Sequence, residues 1–266
     1  MASGEFANIN LLPDGWTIDY QSSATSSNDL AFACLKQNSG QAEGRCFLVG
    51  EQTKGRGRRG KNWVSRPGDG LYLSVILCPD GPRHIWPSLS FVASLGVLKA
   101  LSMTVEQQHR SACRLKWPND ILFQNRKLAG ILLEANEEGL VVGCGVNLQN
   151  APVLDGVTHP AVALDELVTD GEIEAKSLAC SIVSELGKYY AVWQSEGHQI
   201  ILDEWRQHCD MKGKAVRIQT METVIEGICE DIGADGALCV RDAGGQRLQI
   251  TAGDVEIMRD RNASGD

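Results

Sequence analysis

RLKWPNDILFQNRKLAGILLEANEEGLVVGCGVNL, residues 114–148, holds four brief apolar or alternating runs: RLKWP, DILF, KLAGILLE and LVVGCGVNL. Pro118, Asn119, Asn125 and Gly139 part them. Runs this short, bounded by turn formers, read as a meander of strands in one sheet. Upstream, CFLVG (46–50) and LYLSVIL (71–77) are apolar and β-branched enough to add two more strands. Asp29 to Gln37 comes after a run of Ser and Asn cap residues and predicts a helix. Pro87 to Leu101 spaces Leu89, Val92, Leu95 and Leu98 three apart, which predicts a helix with an apolar stripe turned to the sheet. Residues 177–193 and 199–208 again have helical periodicity. The alternation from about 16 to 205 therefore predicts an α+β layer architecture, a mixed sheet with packed helices. After Lys212 the texture changes to short runs punctuated by Gly: KAVRIQ, VIEGICEDI, ALCVRD and QRLQI. They predict a small all-β barrel with a boundary near Met211, giving domains over 1–211 and 212–266.

With 266 residues the chain is long enough to bury a sizeable core, and 43% apolar with 22% charged residues excludes a disordered or fibrous protein. The net charge of -9 argues against a general grip on nucleic acid or anionic membrane, so any anion binding must be local. Nine scattered cysteines with no C-x-x-C pair fit a reducing compartment and predict no metal site; His208 beside Cys209 is poor zinc geometry. The N-terminus lacks a basic segment leading into an apolar run, and no later stretch reads as the ~20 apolar residues that span a bilayer. The expectation is a soluble, cytoplasmic protein without a membrane partner.

Between the two upstream strands lies KGRGRRGK, residues 54–61, where positive charge is concentrated and only Glu51 opposes it nearby in sequence. Gly55, Gly57 and Gly60 satisfy G-x-G-x-x-G, yet the chain then returns to a strand instead of opening a helix, so a dinucleotide turn fails. Gly55 to Lys61 also satisfies G-x-x-x-x-G-K, but Asn62 stands where a phosphate loop needs a hydroxyl for magnesium. The remaining reading is an anion clamp: glycines let the backbone wrap closely, and Arg56, Arg58, Arg59 and Lys61 supply donors. Repelling cations and glycines give such a loop little reason to order itself empty, so closure on a ligand is expected.

The clamp has company. Ser26-Ser27-Asn28, Gln52, GRGRRG (55–60), KWPND (116–120), KLAG (127–130) and Gly143-Cys144-Gly145-Val146-Asn147 come in an order and spacing that resemble the biotin protein ligases over about residues 20–260. The resemblance implies a class II synthetase-like catalytic domain with an SH3-like barrel after it. It implies an enzyme that uses ATP, biotin and Mg2+ to make biotinyl-5'-adenylate and pyrophosphate. Biotin then passes to one lysine of a biotin carboxyl carrier protein or domain of acetyl-CoA or related carboxylases. By similarity Ser26, Ser27, Asn28, Gln52, Arg56, Gly57, Arg58, Lys127 and Gly130 meet biotin, with Ser27 in place of the usual threonine. Arg56, Arg58, Arg59, Lys61, Trp63, Asn119, Asp120 and Asn147 meet ATP or the adenylate. Trp63 would pack on the nucleotide, Asn147 read the adenine, and Lys127 and Arg58 carry catalysis, with no protein ligand assigned to Mg2+.

Lys127 opens an apolar strand beside small Ala129 and Gly130, which suggests close approach of a ligand. Trp117 and Pro118 by themselves read as a strand end with a core aromatic, and Asp120 as a turn former. Larger family members carry an N-terminal helix-turn-helix, whereas here the motifs begin within 30 residues of Met1, so no DNA partner is expected; the assembly is a monomer or homodimer. Two rival functions remain at this point. One is a lipoate or octanoate ligase or transferase of the same fold. The other is a nucleic-acid-binding protein using the Arg-Gly loop, opposed by the acidic balance and by the lack of aromatics interleaved in that segment.

Overall fold

The computed structural model describes residues 11–38, 40–153, 159–169 and 173–258. Strand β1 (Thr17–Gln21) leads to helix α1 (Ser27–Gln37), β2 (Arg45–Val49) and β3 (Gly70–Leu77). Helices α2 (Leu89–Thr104) and α3 (Gln107–Arg110) come next, then β4 (Cys113–Lys116), β5 (Asp120–Phe123), β6 (Arg126–Ala135) and β7 (Leu140–Asn147). Helices α4 (Ala175–Glu196) and α5 (His198–His208) complete the larger layer. Its seven strands run β1-β2-β3-β7-β6-β5-β4, parallel only between β1 and β2. The expected meander is β4 to β7; β1, polar and with one buried residue, was not anticipated.

LYLSVIL is apolar without alternation because both of its faces are covered. Leu71, Leu73, Val75 and Leu77 join the main core with α2 and α4, while Ile76 packs with Ala31 and Leu35 of α1 on the opposite face. Helix α2 departs from the expected one-sided stripe: Phe91, Ala93, Val97 and Ala100 are as buried as Leu89, Val92, Leu95 and Leu98. The reason is that it lies between the sheet and α4, leaving only Lys99 and Met103 of its residues exposed. With the preceding turn it forms Arg83–Thr104, long and apolar enough to cross a bilayer by length and composition, contrary to the expectation that no such stretch exists; 67% of its apolar 18-residue window is buried inside the protein.

The two helices touch closely at Gly96, where a Cβ would stand 2.7 Å from Leu186 Cα and 2.8 Å from its nitrogen. Gly96→Ala is expected to lower stability by about 1–3 kcal/mol through forced separation of the helices, read as a lower urea midpoint at unchanged m.

Strands β8 (Ala215–Gln219), β9 (Val224–Ile232), β10 (Leu238–Asp242), β11 (Arg247–Ile250) and β12 (Asp254–Ile257) form a second, antiparallel sheet in the order β11-β10-β9-β8-β12. This is the SH3-like barrel, with β12 beyond the runs read from sequence. It is fastened to the larger layer. Val216, Ile218, Leu238 and Val240 belong to the same apolar cluster as α2 and α4, and the Trp117 indole N–H donates to Gly236 O at 3.0 Å. Trp117 is thus the core aromatic that its sequence suggested, placed at the junction of the two sheets.

Candidate active site

The site opens on the α1 face of the large sheet, in a cavity of about 420 Å3. Its walls include Ser26, Ser27, Asn28, Gln52, Arg56, Gly57, Arg58, Lys61, Trp63, Asn119, Asp120, Lys127, Gly130 and Asn147. Of the residues expected from sequence, Arg59 is absent from this wall. It sits at φ 55° in a 3-10 turn and donates to Gln219 O at 2.6 Å, away from the cavity.

One end is made by the start of α1. Ser26 caps the helix, its hydroxyl accepting from Asn28 N at 3.2 Å. Ser27 N–H donates to Gln52 Oε1 at 2.8 Å, which fixes the orientation of that amide. Asn28 presses on β7 so tightly that a Cβ on Gly143 would lie 2.5 Å from its Oδ1. That explains the first glycine of GCGVN; the second explains itself in the same way. Gly145 pairs with Gly130 across β6 and β7, and the Trp63 indole lies on this floor, 2.6 Å from where a Gly145 Cβ would be and 3.0 Å from one on Gly130. The small residues beside Lys127 are therefore explained differently from the sequence reading. What approaches Gly130 is the protein's own tryptophan, and Ala129 faces the core.

The other end carries charge. Leu122 pairs with Lys127 while Ile121 pairs with Ala129, so one extra residue is bulged into β6 at Leu128. The bulge reverses the pleat, so that Lys127 reaches the same face as Gly130 while Leu128 and Ala129 both enter the core. Lys127 Nζ is 2.6 Å from Asp120 Oδ1 and 5.4 Å from the Trp63 ring centre. Its backbone is tied on both sides. Lys127 N–H donates to Pro160 O at 2.7 Å, and Asn147 Nδ2 donates to Lys127 O at 3.0 Å and Val162 O at 3.1 Å. Asn147 thus spends its donors on holding Lys127 and keeps Oδ1 for anything else.

Asp120 also meets Lys116, at 3.3 Å. Burial alone would raise the Asp120 pKa, but Lys127 and Lys116 outweigh it and hold the carboxyl far below the usual range. Burial lowers Lys116 despite Asp120. His159 on the same wall donates Nδ1–H to Asn125 O at 2.9 Å, and burial lowers its pKa, so it is neutral at pH 7. Between the two cavity-facing glycines of β7, Cys144 turns into the main core, where burial pushes its thiol up to about 12 and keeps it protonated and unreactive.

The Arg-rich loop is opposed by more than Glu51. Arg56 is gripped by Asp29 at 2.7 Å and Glu134 at 3.1 Å, and although burial lowers its pKa, those two partners raise it overall. Lys61 meets Asp254 of β12 at 2.7 Å, with Arg59 4.0 Å from the same carboxylate. Arg58 differs. Among the described residues it has no carboxylate within ion-pair distance; it donates to Asn119 Oδ1 at 3.3 Å, and burial lowers its pKa. It is a half-desolvated cation on the cavity wall that Lys127 and Asn119 also line. Asn119 is pinned by its own hydrogen bond to Ile131 O.

Asp29, Ser74, Lys116, Glu134, His159 and Asp254 belong to the site or its support and were missed as site residues. The detectable signal was Glu134, an acid within the apolar run of KLAGILLE.

Comparison with known proteins agrees with this arrangement. Residues 21–148 match the biotin/lipoate A/B protein ligase family, and residues 213–258 match the biotin protein ligase C-terminal domain. A biotin–(acetyl-CoA-carboxylase) ligase of Mycobacterium tuberculosis is 31% identical over 90% of this chain and 87% of its own length. One of Paracoccus denitrificans is 32% identical over 83% of this chain and 93% of its own. In fold, the chain resembles a biotin protein ligase from Aquifex aeolicus, solved in complex with biotin and ATP, with a TM-score of 0.76 at 24% identity over 92% of this chain and 99% of that one. With family models on both sheets and relatives above 30% identity along most of its length, the chain belongs to the biotin protein ligases.

Proposed function

We infer that the protein joins biotin to AMP and passes it to a lysine of a carboxyl carrier protein or domain; its relatives are named biotin–(acetyl-CoA-carboxylase) ligases. The observation that carries this is one cavity with two unlike ends. Neutral hydrogen-bonding groups fixed by α1 stand at one end, and Lys127 and Arg58, which has no ion pair among the described residues, at the other. A ligand suited to it has a polar, uncharged head and a distant carboxylate, which describes biotin.

In the first step a biotin carboxylate oxygen attacks the α-phosphorus of ATP and the bond to the β-phosphoryl oxygen breaks, releasing pyrophosphate. Two anions must meet, so cations that count most at the transition state are required. We assign that work to Lys127 and Arg58. In the second step a neutral carrier lysine attacks the acyl carbon, AMP leaves, and the amine gives up a proton. Trp63 is assigned to cover the nucleotide, and Asn147 Oδ1 to accept from the adenine amine. Asn119 and Asp120 act through Arg58 and Lys127, and Lys61 rims the nucleotide end. Mg2+ is proposed as part of the ATP substrate: Asp120, Glu134 and Asp254 already serve lysines or arginines, and no group of three ligating residues occurs among the described residues. All nine cysteines are free thiols, which supports a cytoplasmic location. The barrel over about 212–266 is read as the second domain, of which residues 259–266 lie outside the described residues.

Pyrophosphate release measured with ATP and biotin, octanoate or lipoate, and then label transfer to a carboxylase carrier domain, tests this. Release with biotin alone is expected. Preference for octanoate or lipoate would move the protein to the sister activity of the same fold, and no release with any acid would overturn the reading.

A further inference from the structure

A chain of hydrogen bonds runs from Glu134, outside the cavity wall, to Ser27, on it. Glu134 bonds the Arg56 guanidinium through Nε at 3.2 Å and Nη2 at 3.1 Å, so it is ionised and can only accept. Asn28 lies 2.6 Å from it and must present Nδ2, which forces Oδ1 to the other side. There Ser74 Oγ lies 2.5 Å from Oδ1, a separation that needs a proton between the two oxygens; only Ser74 has one. That spends the single Ser74 proton. The Ser27 hydroxyl, 2.7 Å from Ser74 Oγ, must therefore donate to Ser74 and turn its lone pairs outward. Its 3.2 Å approach to Gln52 Oε1 cannot share that proton. Beside it, Gln52 has Oε1 committed to Ser27 N–H and so offers Nε2.

We propose that Glu134 and Ser74 are positioning residues that set the hydrogen-bond polarity of the cavity's neutral end, presenting an acceptor at Ser27 Oγ beside a donor at Gln52 Nε2. An acceptor next to a donor matches one edge of a cyclic urea, an N–H beside a C=O. It disfavours heads that only donate or only accept. The assignment rests on the biotin reading above and deepens it. Asn28, which the resemblance placed in contact with biotin, serves in this account as the link that transmits orientation. Gly143 is required because any side chain there would displace Asn28 Oδ1.

Glu134→Gln removes the acceptor-only constraint, since a neutral amide can donate to Asn28 Oδ1 and let that side chain turn over. Ser74→Ala breaks the relay at its middle while leaving the Arg56 clamp untouched. By calorimetry on the full chain, biotin Kd is expected to rise about tenfold in each variant. In Ser74→Ala, which leaves Arg56 held by Asp29 and Glu134, ATP KM and kcat at saturating biotin should stay within about twofold, a split that general loss of structure would not give. The double variant should lose little more than either single one, since both act through Asn28. 2-Iminobiotin, which replaces the ring C=O with a C=NH, should lose less affinity than biotin does. Wild-type protein that fails to bind biotin would overturn the ligase reading and the relay with it. Wild type that binds, with both variants binding as tightly, or with kcat and ATP KM of Ser74→Ala impaired as far as biotin affinity, would overturn the relay alone.

Discussion

Lys127→Gln is expected to slow biotinyl-adenylate formation by about a hundredfold or more while leaving the fold intact. Lys127 Nζ is a compact charge held by Asp120 at 2.6 Å, with its backbone clamped by Asn147 and Pro160, so it meets the reacting atoms without reorganising. Glutamine keeps a donor for Asp120, and Lys116 still neutralises that carboxylate, so the buried charge is not abandoned. Lys127→Arg should restore little, because a planar fork does not fit a site shaped for a point charge against the Trp63 ring. Single-turnover pyrophosphate release at saturating biotin and ATP checks this; a wild-type rate in the glutamine variant would remove Lys127 from the chemistry.

Why Lys127 points into the cavity could not be read from its neighbours. KLAGILLE looks like an unbroken strand, and an unbroken strand would put Lys127 on the same face as Ala129, in the core. The bulge at Leu128 is a property of the pairing with β5, which one strand's sequence does not contain. The same holds for the charges around the loop. KGRGRRGK is legible as a cation cluster, but its partners are Asp29, Glu134 and Asp254, far along the chain, so the loop looks far less neutralised in sequence than it is. Motif glycines were legible as close approach, yet not what approaches: Asn28 and Trp63 are brought to β7 by packing. Strong local patterns such as LYLSVIL and the run 114–148 were read correctly as strands. β1 and β12 were missed because strands of five and four residues at sheet edges need little apolar content. A boundary near Met211 also does not make the barrel separable from the larger layer. Trp117, Val216 and Leu238 share one apolar cluster, so removing residues from 212 onward would expose core as well as impair catalysis.

Arg58→Gly should release biotinyl-adenylate about 10- to 100-fold faster than wild type, the loss of a charge-assisted bond to phosphate. The structure singles this arginine out from its neighbours. Arg56 is held by two carboxylates, Lys61 by Asp254, and Arg59 by Gln219 O, so three cations of the loop are already engaged and its mutual repulsion is offset by protein. Among the described residues Arg58 has only the neutral Asn119 as a side-chain partner, at 3.3 Å, and burial depresses its pKa, so an arriving phosphate gains most there. Glycine removes that partner without touching the three tethers that hold the rest of the loop. Adenylation itself should fall less than retention, because Lys127 remains. The freed mixed anhydride would then acylate lysines on unrelated proteins nearby. Adenylate dissociation and bystander labelling, measured together with protease cleavage of residues 54–63 with and without biotin, decide it. A variant that holds the adenylate as long as wild type, with equal protection of the loop, would assign retention to Arg56, Lys61 or Trp63 instead.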